Sequence, residues 1–226
     1  MKLNHLSIIL DGNRRWALSK NLPSYEGHQK GAENLWNLIE NVRNHKLKYL
    51  TVFVFSTENW KRSNAETSFL MSLLGMYLDD IISKKKEINI KIRFIGDKSI
   101  YNKKIQDKLS FIENFTHENS GLTVTLALNY GGRYDIIQAV NGILRSKEKF
   151  SSIREEDFKK FTLNFDTPDP DLLIRTGGHM RVSNFLLWDL AYTELIFLKE
   201  MWPDFNKTLL DKCVLDYENR ERKYGV

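Results

Sequence analysis

Five consecutive residues near the amino terminus bring reactive groups onto one short turn: Asp11, Gly12, Asn13, Arg14 and Arg15. The carboxylate offers hard oxygen ligands for magnesium, and the two guanidinium groups are planar forks that match phosphate oxygens. The glycine permits a close backbone approach, and the asparagine tolerates a tight turn. The pattern favours a site for magnesium and a diphosphate. An ordinary turn is the alternative, because Asp-Gly-Asn at a strand end is more often only a turn.

Two other loops collect polar groups directly after apolar runs. The loop at 55–62 supplies hydroxyls, an acid, an amide, an aromatic ring and two cations. The loop at 129–135 contains Gly131 and Gly132, which we interpret as a turn before a helix. The first of these loops therefore predicts ligand contacts, and the second predicts a change of chain direction.

A third loop follows the fifth apolar run and is rich in arginine and glycine. Arg175 and Arg181 flank the pair Gly177-Gly178, and this arrangement predicts a phosphate nest. At the end of the loop, Ser183 and Asn184 are expected to cap the next helix. Loops of this kind at the same ends of successive strands predict one or two anionic ligands. A nucleotide is not favoured, because the chain lacks a Walker A loop and a complete G-x-G-x-x-G.

The elements that must position these loops alternate between strand-like and helix-like patterns. Between the first two apolar runs, Ala32, Leu35, Trp36, Ile39 and Val42 recur at the spacing of one helix face. This alternation predicts an α/β fold with right-handed crossovers and a mainly parallel central sheet of about six strands flanked by helices. The six strand-like runs are Leu6 to Leu10, Leu50 to Phe55, Ile90 to Ile95, Leu122 to Leu128, Asp171 to Ile174 and Leu195 to Leu198.

The segment from Phe69 to Ile82 differs from an ordinary surface helix, because eight of its fourteen residues form an unusually wide apolar face. One interpretation is a deeply buried core helix. The other is a wall of a long apolar pocket or tunnel, since pockets for apolar ligands are lined in this way.

Composition limits the class of protein without identifying it. The chain has 226 residues, 42% of them hydrophobic, and a formal net charge of +5, which is typical of one globular domain with anionic partners. Cys213 is its single cysteine, which excludes an intramolecular disulfide and agrees with a reducing cytoplasm. No run approaches the roughly 18 uncharged residues of a membrane-spanning helix.

Long stretches of the sequence resemble the cis-prenyltransferase family, in particular its undecaprenyl diphosphate synthase branch. The similarity extends from residue 5 to about the end of the chain, which implies a single cis-prenyltransferase domain over residues 1–226 with an apolar tunnel. The stretches that carry the resemblance are His5 to Ala17, Phe55 to Arg62, Asn129 to Asp135, Asp171 to Phe197 and Trp202 to Phe205.

The resemblance implies an enzyme that condenses isopentenyl diphosphate repeatedly onto farnesyl diphosphate, in the cis configuration and with Mg²⁺ as cofactor. The product would be a long-chain polyprenyl diphosphate, the precursor of a lipid carrier for cell-wall synthesis. The family also implies a cytoplasmic homodimer, with peripheral association at the inner face of the membrane through the lipid product, and no nucleic-acid partner.

Two alternatives come from other classes of protein. A non-catalytic subunit of a prenyltransferase complex is the main one, and the joint presence of Asp11, Arg15, Arg175 and Glu194 argues against it. A phosphate-dependent RNA-binding protein is favoured only by the basic charge, and the sequence holds no recognised RNA-binding motif.

The resemblance also assigns roles to individual residues. It implies that Asp11 and Asn59 are catalytic and that Asp11 and Glu194 are magnesium ligands. Asn59 occupies the family's proton-acceptor position, but a neutral carboxamide is a poor base, so we expect it to orient a diphosphate oxygen or a water molecule. The residues expected to bind the substrates are Gly12, Asn13, Arg14, Arg15, Trp16, Ser24, His28, Ser56, Thr57, Glu58, Trp60, Arg62, Arg175, Arg181, Val182 and Ser183.

The chain departs from the family pattern at four places. Arg14 stands where the family usually has glycine, and Ser24 stands where it usually has arginine, so we expect Arg14 to supply the charge missing at Ser24. The pair His179-Met180 replaces a glutamate followed by histidine or glutamine, which makes a metal ligand from this loop doubtful. Lys223-Tyr224-Gly225 keeps the charge of a terminal Arg-x-Gly pattern but loses the bidentate fork of arginine.

Overall fold

The computed structural model describes residues 2–84, 89–147 and 150–220 of the chain. The terminal Lys223-Tyr224-Gly225 pattern lies outside these ranges. The fold is a single α/β domain with helices on a central sheet, as the alternating sequence patterns predict.

Six parallel strands form the sheet, in the order β3-β4-β2-β1-β5-β6. Each strand lies within two residues of a predicted apolar run at both of its ends. Strands β2, β1 and β5 are therefore neighbours inside the sheet, and their carboxyl ends meet at one edge. The strands are β1 (His5–Ile9), β2 (Tyr49–Ser56), β3 (Ile90–Ile95), β4 (Leu122–Tyr130), β5 (Leu172–Arg175) and β6 (Glu194–Phe197).

Helices connect most of the strands. Within the described ranges, no helix combines the length and apolar character that a membrane crossing requires. The α-helices in these ranges are α1 (Asn13–Ser19), α2 (Ser24–Asn44), α3 (Asn64–Ser83), α4 (Lys103–Thr116), α5 (Gly132–Arg145), α6 (Glu155–Lys159) and α7 (Lys207–Glu218).

The connection from β5 to β6 contains turns and no helix, so the prediction that Ser183 and Asn184 cap a helix is wrong. Ser183, Asn184 and Leu186 have φ angles of +48°, +63° and +40°, in the left-handed region that an α-helix does not use. Three such residues within four positions turn the chain back across the sheet instead of starting a helix.

Two hydrophobic cores lie on opposite faces of the sheet, because successive strand residues point to opposite sides. Leu6 and Ile8 belong to the larger core beneath the long helices, and Ile9 belongs to the smaller one. Phe185 is fully buried in the smaller core and stacks on Phe53 with ring centroids 4.4 Å apart. The irregular connection after β5 thus covers this face of the sheet with side chains that a helix would otherwise provide.

His5 fixes the start of β1 as a buried neutral imidazole. Its Nδ1 donates to the Pro168 carbonyl oxygen at 2.6 Å, because a carbonyl can only accept, and its Nε2 lies 2.8 Å from Thr51 Oγ1. Burial lowers the pKa of His5 to about 4, so the ring stays uncharged at neutral pH. The strand that leads to Asp11 is therefore anchored to both β2 and the segment before β5.

Candidate active site

A cavity of about 710 Å³ opens at the carboxyl ends of β2, β1 and β5. Parallel strands deliver successive loops to one edge of the sheet, so the position of the cavity follows from the topology. The predicted convergence of these loops is present. The polar residues that line the cavity are Asp11, Asn13, His28, Ser56, Glu58, Asn59, Arg62, Arg133, Arg175, His179, Arg181, Ser183 and Asn184.

Asp11 lies directly beyond β1 and faces two guanidinium groups. Its Oδ1 accepts a hydrogen bond from Arg15 Nη2 at 3.1 Å, and its Oδ2 accepts one from Arg175 Nη2 at 2.9 Å. Burial alone would raise the pKa of Asp11, but the hydrogen bonds and charges of Arg175 and Arg15 outweigh it and hold the pKa below its ordinary value. The carboxylate is therefore ionised at neutral pH and ready to hold a cation.

Arg175 joins the Asp11 turn to the loop after β5. Besides its contact with Asp11, it donates from Nη1 to Ser183 Oγ at 2.7 Å and to the Arg181 carbonyl oxygen. The residue is only 4% exposed, and among the described residues its buried Nε has no hydrogen-bond partner. Such a buried, rigid fork presents a fixed charge to a ligand in the cavity.

The pair Gly177-Gly178 does not form the predicted phosphate nest. The Gly177 N–H donates to the Glu200 carbonyl oxygen and the Gly178 N–H to the Leu198 carbonyl oxygen, both at 2.7 Å. A β-carbon on Gly177, whose φ is +81°, would lie 2.7 Å from Arg15 Nη2. The first glycine is therefore needed for close approach to the Asp11 turn, and the N–H groups of the pair are not available to an anion.

Asn59 and Ser56 are linked at the end of β2. The Ser56 N–H donates to Asn59 Oδ1 at 3.0 Å, which directs the amide oxygen toward the backbone. Asn59 lines the cavity, and within the described ranges its NH₂ group has no hydrogen-bond partner. This arrangement suits a residue that orients a phosphate oxygen, as expected for Asn59, and gives it no basic atom.

Glu66 is the centre of a second cluster of charged and polar side chains. The sequence analysis assigns this residue no role in the site. Glu66 Oε1 accepts a hydrogen bond from Arg62 Nη1 at 2.7 Å and one from His28 Nε2 at 3.3 Å. Burial and the charge of Arg62 lower the pKa of His28, so its ring is neutral and donates from Nε2. Glu66, in the first turn of α3, thereby fixes two predicted binding residues, one of which, Arg62, directly precedes the N-cap residue of this helix.

A smaller cavity of about 250 Å³ adjoins the first one at the Asp11 turn. Arg14 and Arg15 line it together with Glu66. Gly12 precedes α1 with a φ of +113°, and a β-carbon there would lie 2.8 Å from Met201 Cβ. The turn therefore requires glycine at this position to bring the arginines to the cavity.

An apolar cavity of about 140 Å³ extends from the same region under α3. Of the predicted apolar face of this helix, Leu73, Leu78 and Ile81 are buried and also line the cavity. The helix is therefore both a core element and a pocket wall. The residues that line both this cavity and the large polar one are Leu10, Asn13, His28, Val54, Phe55 and Leu70.

Several predicted binding residues do not line either the large or the small polar cavity. Trp16 Nε1 donates to Asp204 Oδ1 at 2.8 Å, and Trp60 Nε1 donates to Asn129 Oδ1 at 2.8 Å. These hydrogen bonds of the indoles brace the loops. The predicted residues outside the walls of both polar cavities are Trp16, Ser24, Thr57, Trp60, Val182 and Glu194.

Glu194 lies far from Asp11 within one chain. It begins β6 at the register of Leu172 and Leu6, whereas Asp11 follows the other end of β1. Ile9 is already three residues beyond Leu6, roughly 10 Å along the strand. Glu194 Oε2 instead accepts a hydrogen bond from Arg220 Nη1 at 2.7 Å. The structure therefore does not bring the two predicted magnesium ligands together in one chain, and no group of three metal-ligating side chains occurs among the described residues.

Three polar residues of the large cavity wall have no substrate-binding role in the sequence prediction: Arg133, His179 and Asn184. Arg133 and Asn184 lie in the loops after β4 and β5, so their location after parallel strands was the available signal. The sequence makes His179 a doubtful metal ligand, with a hydrogen bond near the arginines as the alternative role. Its place in the wall makes it a polar contact of the cavity.

Comparison with protein families gives a match over nearly the whole chain. A family described as "Putative undecaprenyl diphosphate synthase" matches residues 9 to 225. An isoprenyl transferase of Thermotoga maritima is 44% identical over 223 residues, covering 98% of this chain and 96% of that protein. An isoprenyl transferase of Neisseria gonorrhoeae is 42% identical over 221 residues, covering 98% and 88%.

Two solved structures share the fold throughout. Lavandulyl diphosphate synthase from Lavandula x intermedia, in complex with dimethylallyl diphosphate, has a TM-score of 0.94 and 34% identity, covering 100% of this chain and 99% of that one. A probable undecaprenyl diphosphate synthase from Campylobacter jejuni has a TM-score of 0.84 and 32% identity, covering 100% of both chains.

Proposed function

Because the chain belongs to the undecaprenyl diphosphate synthase family of prenyltransferases, we propose that it condenses isopentenyl diphosphate onto an allylic diphosphate, farnesyl diphosphate, in successive cis additions. One observation carries this proposal. The smaller polar cavity, lined by Arg14 and Arg15, shares Leu10, Asn13 and His28 with the apolar cavity. A single allylic ligand can therefore place its diphosphate in the first cavity and its hydrocarbon chain in the second.

The arginines divide into two groups that suit two diphosphates. Arg14 and Arg15 line the smaller cavity, where we assign the allylic diphosphate. Arg175 and Arg181 line the large cavity beside Ser183, where we assign isopentenyl diphosphate. Guanidinium groups bind phosphate oxygens in bidentate fashion, so each group of arginines can hold one diphosphate.

The reaction follows from this arrangement. The allylic carbon–oxygen bond breaks, and inorganic pyrophosphate leaves as the carbon becomes cationic. The double bond of isopentenyl diphosphate supplies the electron pair of the new carbon–carbon bond, and a proton then passes from that unit to an oxygen of the departing pyrophosphate. Arg14 and Arg15 stabilise the charge on the departing diphosphate, which is the charge that develops in the transition state. Asn59 orients a diphosphate oxygen through its NH₂ group.

Asp11 fits a role as magnesium ligand. Each of its oxygens accepts only one hydrogen bond from an arginine, and Mg²⁺ in proteins commonly takes one or two carboxylates together with substrate phosphates. When bound, the metal supplies Lewis-acid stabilisation of the leaving diphosphate. The role of Glu194 as a second ligand remains a prediction.

The apolar cavity under α3 would be the entrance of the product tunnel. Its lining is almost entirely hydrophobic, and it begins at the residues shared with the polar cavity. A growing prenyl chain gains free energy by leaving water for such a lining.

The function is tested by incubating the purified chain with isopentenyl diphosphate, Mg²⁺ and either farnesyl or dimethylallyl diphosphate. We expect products elongated by several five-carbon units from farnesyl diphosphate, measured by mass spectrometry. Products of a single condensation from dimethylallyl diphosphate would place the chain with short-product enzymes instead. Absence of any condensation would favour the non-catalytic subunit.

Arg14 is predicted to replace the arginine that the family usually has at the position of Ser24. Arg14 lines the small cavity, whereas Ser24 begins α2 outside it. Changing Arg14→Gly should raise the KM for the allylic diphosphate about tenfold, the loss of one charge-assisted hydrogen bond. The double change Arg14→Gly with Ser24→Arg should recover most of that loss, and Ser24→Arg alone is the control. A double variant no better than Arg14→Gly would contradict the compensation.

The homodimer also remains a prediction, and an exposed apolar stripe on α5 supports it. Ile137, Val140 and Leu144 are 58%, 40% and 77% exposed at positions that share one helix face. Such a stripe is typical of a surface covered by a second copy. We expect Leu144→Glu to shift the protein from dimer to monomer in light scattering, while Leu215→Glu, at an exposed leucine of α7, leaves the mass unchanged. A wild-type monomer, or a Leu144→Glu dimer, would contradict this assignment.

The cytoplasmic location, the membrane association through the lipid product and the role in cell-wall synthesis stay predictions. They depend on the length of the product, because a long prenyl chain partitions into the membrane at roughly 0.8 kcal/mol for each buried CH₂ group.

A further inference from the structure

Asn184 belongs to the β5–β6 connection. Among the described residues of this connection, it alone forms side-chain hydrogen bonds both to the loop after β2 and to the start of α5. It follows Ser183, and both residues are held in the left-handed region, with φ of +63° for Asn184. Asparagine tolerates this conformation better than most residues other than glycine. The backbone thus directs the amide across the mouth of the cavity.

Three hydrogen bonds attach Asn184 to two other loops. Its Nδ2 donates to Glu58 Oε1 at 3.0 Å, in the loop after β2. Its Oδ1 accepts from the Arg133 N–H at 2.9 Å, and its carbonyl oxygen accepts from the Gly132 N–H at 2.6 Å, both in the first turn of α5 directly after β4. One side chain therefore connects the loops that follow β2, β4 and β5.

The groups on these loops face the same cavity. Ser183, the neighbour of Asn184, receives the hydrogen bond from Arg175 Nη1. Arg133 lines the cavity and is exposed, and no carboxylate pairs with its guanidinium group within the described ranges. An unpaired guanidinium at the wall is available to a phosphate oxygen.

Gly131 shows how closely the amide is packed. A β-carbon on Gly131 would lie 2.7 Å from Asn184 Nδ2 and 2.8 Å from Thr57 Oγ1. Both distances are shorter than ordinary contacts of a β-carbon, so a larger residue at this position would displace the Asn184 amide or the Thr57 hydroxyl. The sequence reasoning treated Gly131 only as a turn residue.

We propose that Asn184 is a positioning residue that holds Glu58 and Arg133 against the Ser183–Arg175 contact, so that Arg133 helps to bind the diphosphate of isopentenyl diphosphate. This inference rests on the proposed function. The residue must be an amide, because it donates to a carboxylate with one atom and accepts from a backbone N–H with the other.

The test compares Asn184→Asp in the wild-type chain and in a Glu58→Gln background. In the wild-type chain, the new carboxylate faces Glu58 at hydrogen-bond distance, and we expect the KM for isopentenyl diphosphate to rise about tenfold, within the usual range for coupled neighbours. The KM for farnesyl diphosphate should change less than about twofold. In the Glu58→Gln background the glutamine amide can donate to the new carboxylate, so Asn184→Asp should cost less than about twofold there.

Asn184→Gly is the matched control for the backbone, because glycine keeps the left-handed conformation and removes only the side-chain bonds. We expect an intermediate rise in the KM for isopentenyl diphosphate, with an unfolding temperature close to that of the wild type. Equal costs of Asn184→Asp in both backgrounds, or equal effects on both substrates, would overturn the proposal. A wild-type chain that forms no condensation product would instead overturn the proposed function, so the two failures are distinguishable.

Discussion

Replacing Asp11 by asparagine is expected to reduce the rate of condensation by about a thousandfold or more while the protein keeps its fold. The two carboxylate oxygens of Asp11 accept hydrogen bonds from Arg15 and Arg175. The pKa of the carboxyl group lies below its ordinary value, so the native residue is an anion at neutral pH. Asparagine keeps the shape and one oxygen acceptor. It loses the charge that would hold a divalent cation beside the substrate diphosphate.

The measurement is a single-turnover assay with farnesyl diphosphate, isopentenyl diphosphate and Mg²⁺, and circular dichroism confirms that the variant is folded. Asp79→Asn is the control, because Asp79 is an exposed residue of α3 that pairs with Lys108 of α4, and ion pairs at the surface contribute at most about 1 kcal/mol to stability. The control should keep nearly full activity. A folded Asp11→Asn variant with more than about a tenth of the wild-type rate would remove Asp11 from the reaction.

The strands were predictable because each is a short apolar run between polar residues. The parallel arrangement also followed, since helical patterns of sufficient length lie between most of the runs. The connection after β5 was not predictable from local pattern. Ser183 and Asn184 have the residue types of a helix cap, but the Gly132 N–H and the Glu58 carboxylate, far away in sequence, hold Asn184 in the left-handed region.

The site was partly predictable for the same reason. Parallel strands bring their following loops together, so Asp11, Asn59 and Arg175 were expected near one another and line one cavity. The direction of a side chain within a loop depends on its long-range partner. Trp16 turns to Asp204 and Trp60 turns to Asn129, and no local pattern of the sequence encodes either contact.

Arg133 illustrates a different limit. The sequence predicts a turn at Gly131 and Gly132, and nothing in the local pattern assigns a substrate-binding role to the arginine that follows them. In the structure Gly132 begins α5, and the N–H of Arg133 is held by Asn184, so that its guanidinium group lines the cavity. The two glycines allow close contacts with Asn184, Thr57 and Leu187. These contacts join residues far apart in sequence, so the residue type alone does not reveal them.

Replacing Arg175 by lysine is expected to lower the catalytic efficiency with isopentenyl diphosphate about a hundredfold, although the charge is kept. The native guanidinium reaches Asp11 with one nitrogen and Ser183 with another, and also donates to a carbonyl oxygen. A lysine ammonium carries its three N–H donors on a single nitrogen and cannot reach these separated acceptors at the same time. Asp11 would then be held mainly by Arg15, and the loop after β5 would lose its connection to the β1 turn.

Arg181→Lys is the matched control, because Arg181 lies in the same loop, is exposed and makes one long hydrogen bond from Nε to Ser183 Oγ at 3.3 Å. We expect it to cost only a fewfold loss with isopentenyl diphosphate. The Arg175→Lys loss should also shrink in an Asp11→Asn background, since residues in contact are not independent. Equal losses for the two lysine variants would mean that charge alone matters here. A larger loss of catalytic efficiency for Arg175→Lys, which shrinks in the Asp11→Asn background, would mean that the buried guanidinium group couples the Asp11 turn to the loop after β5.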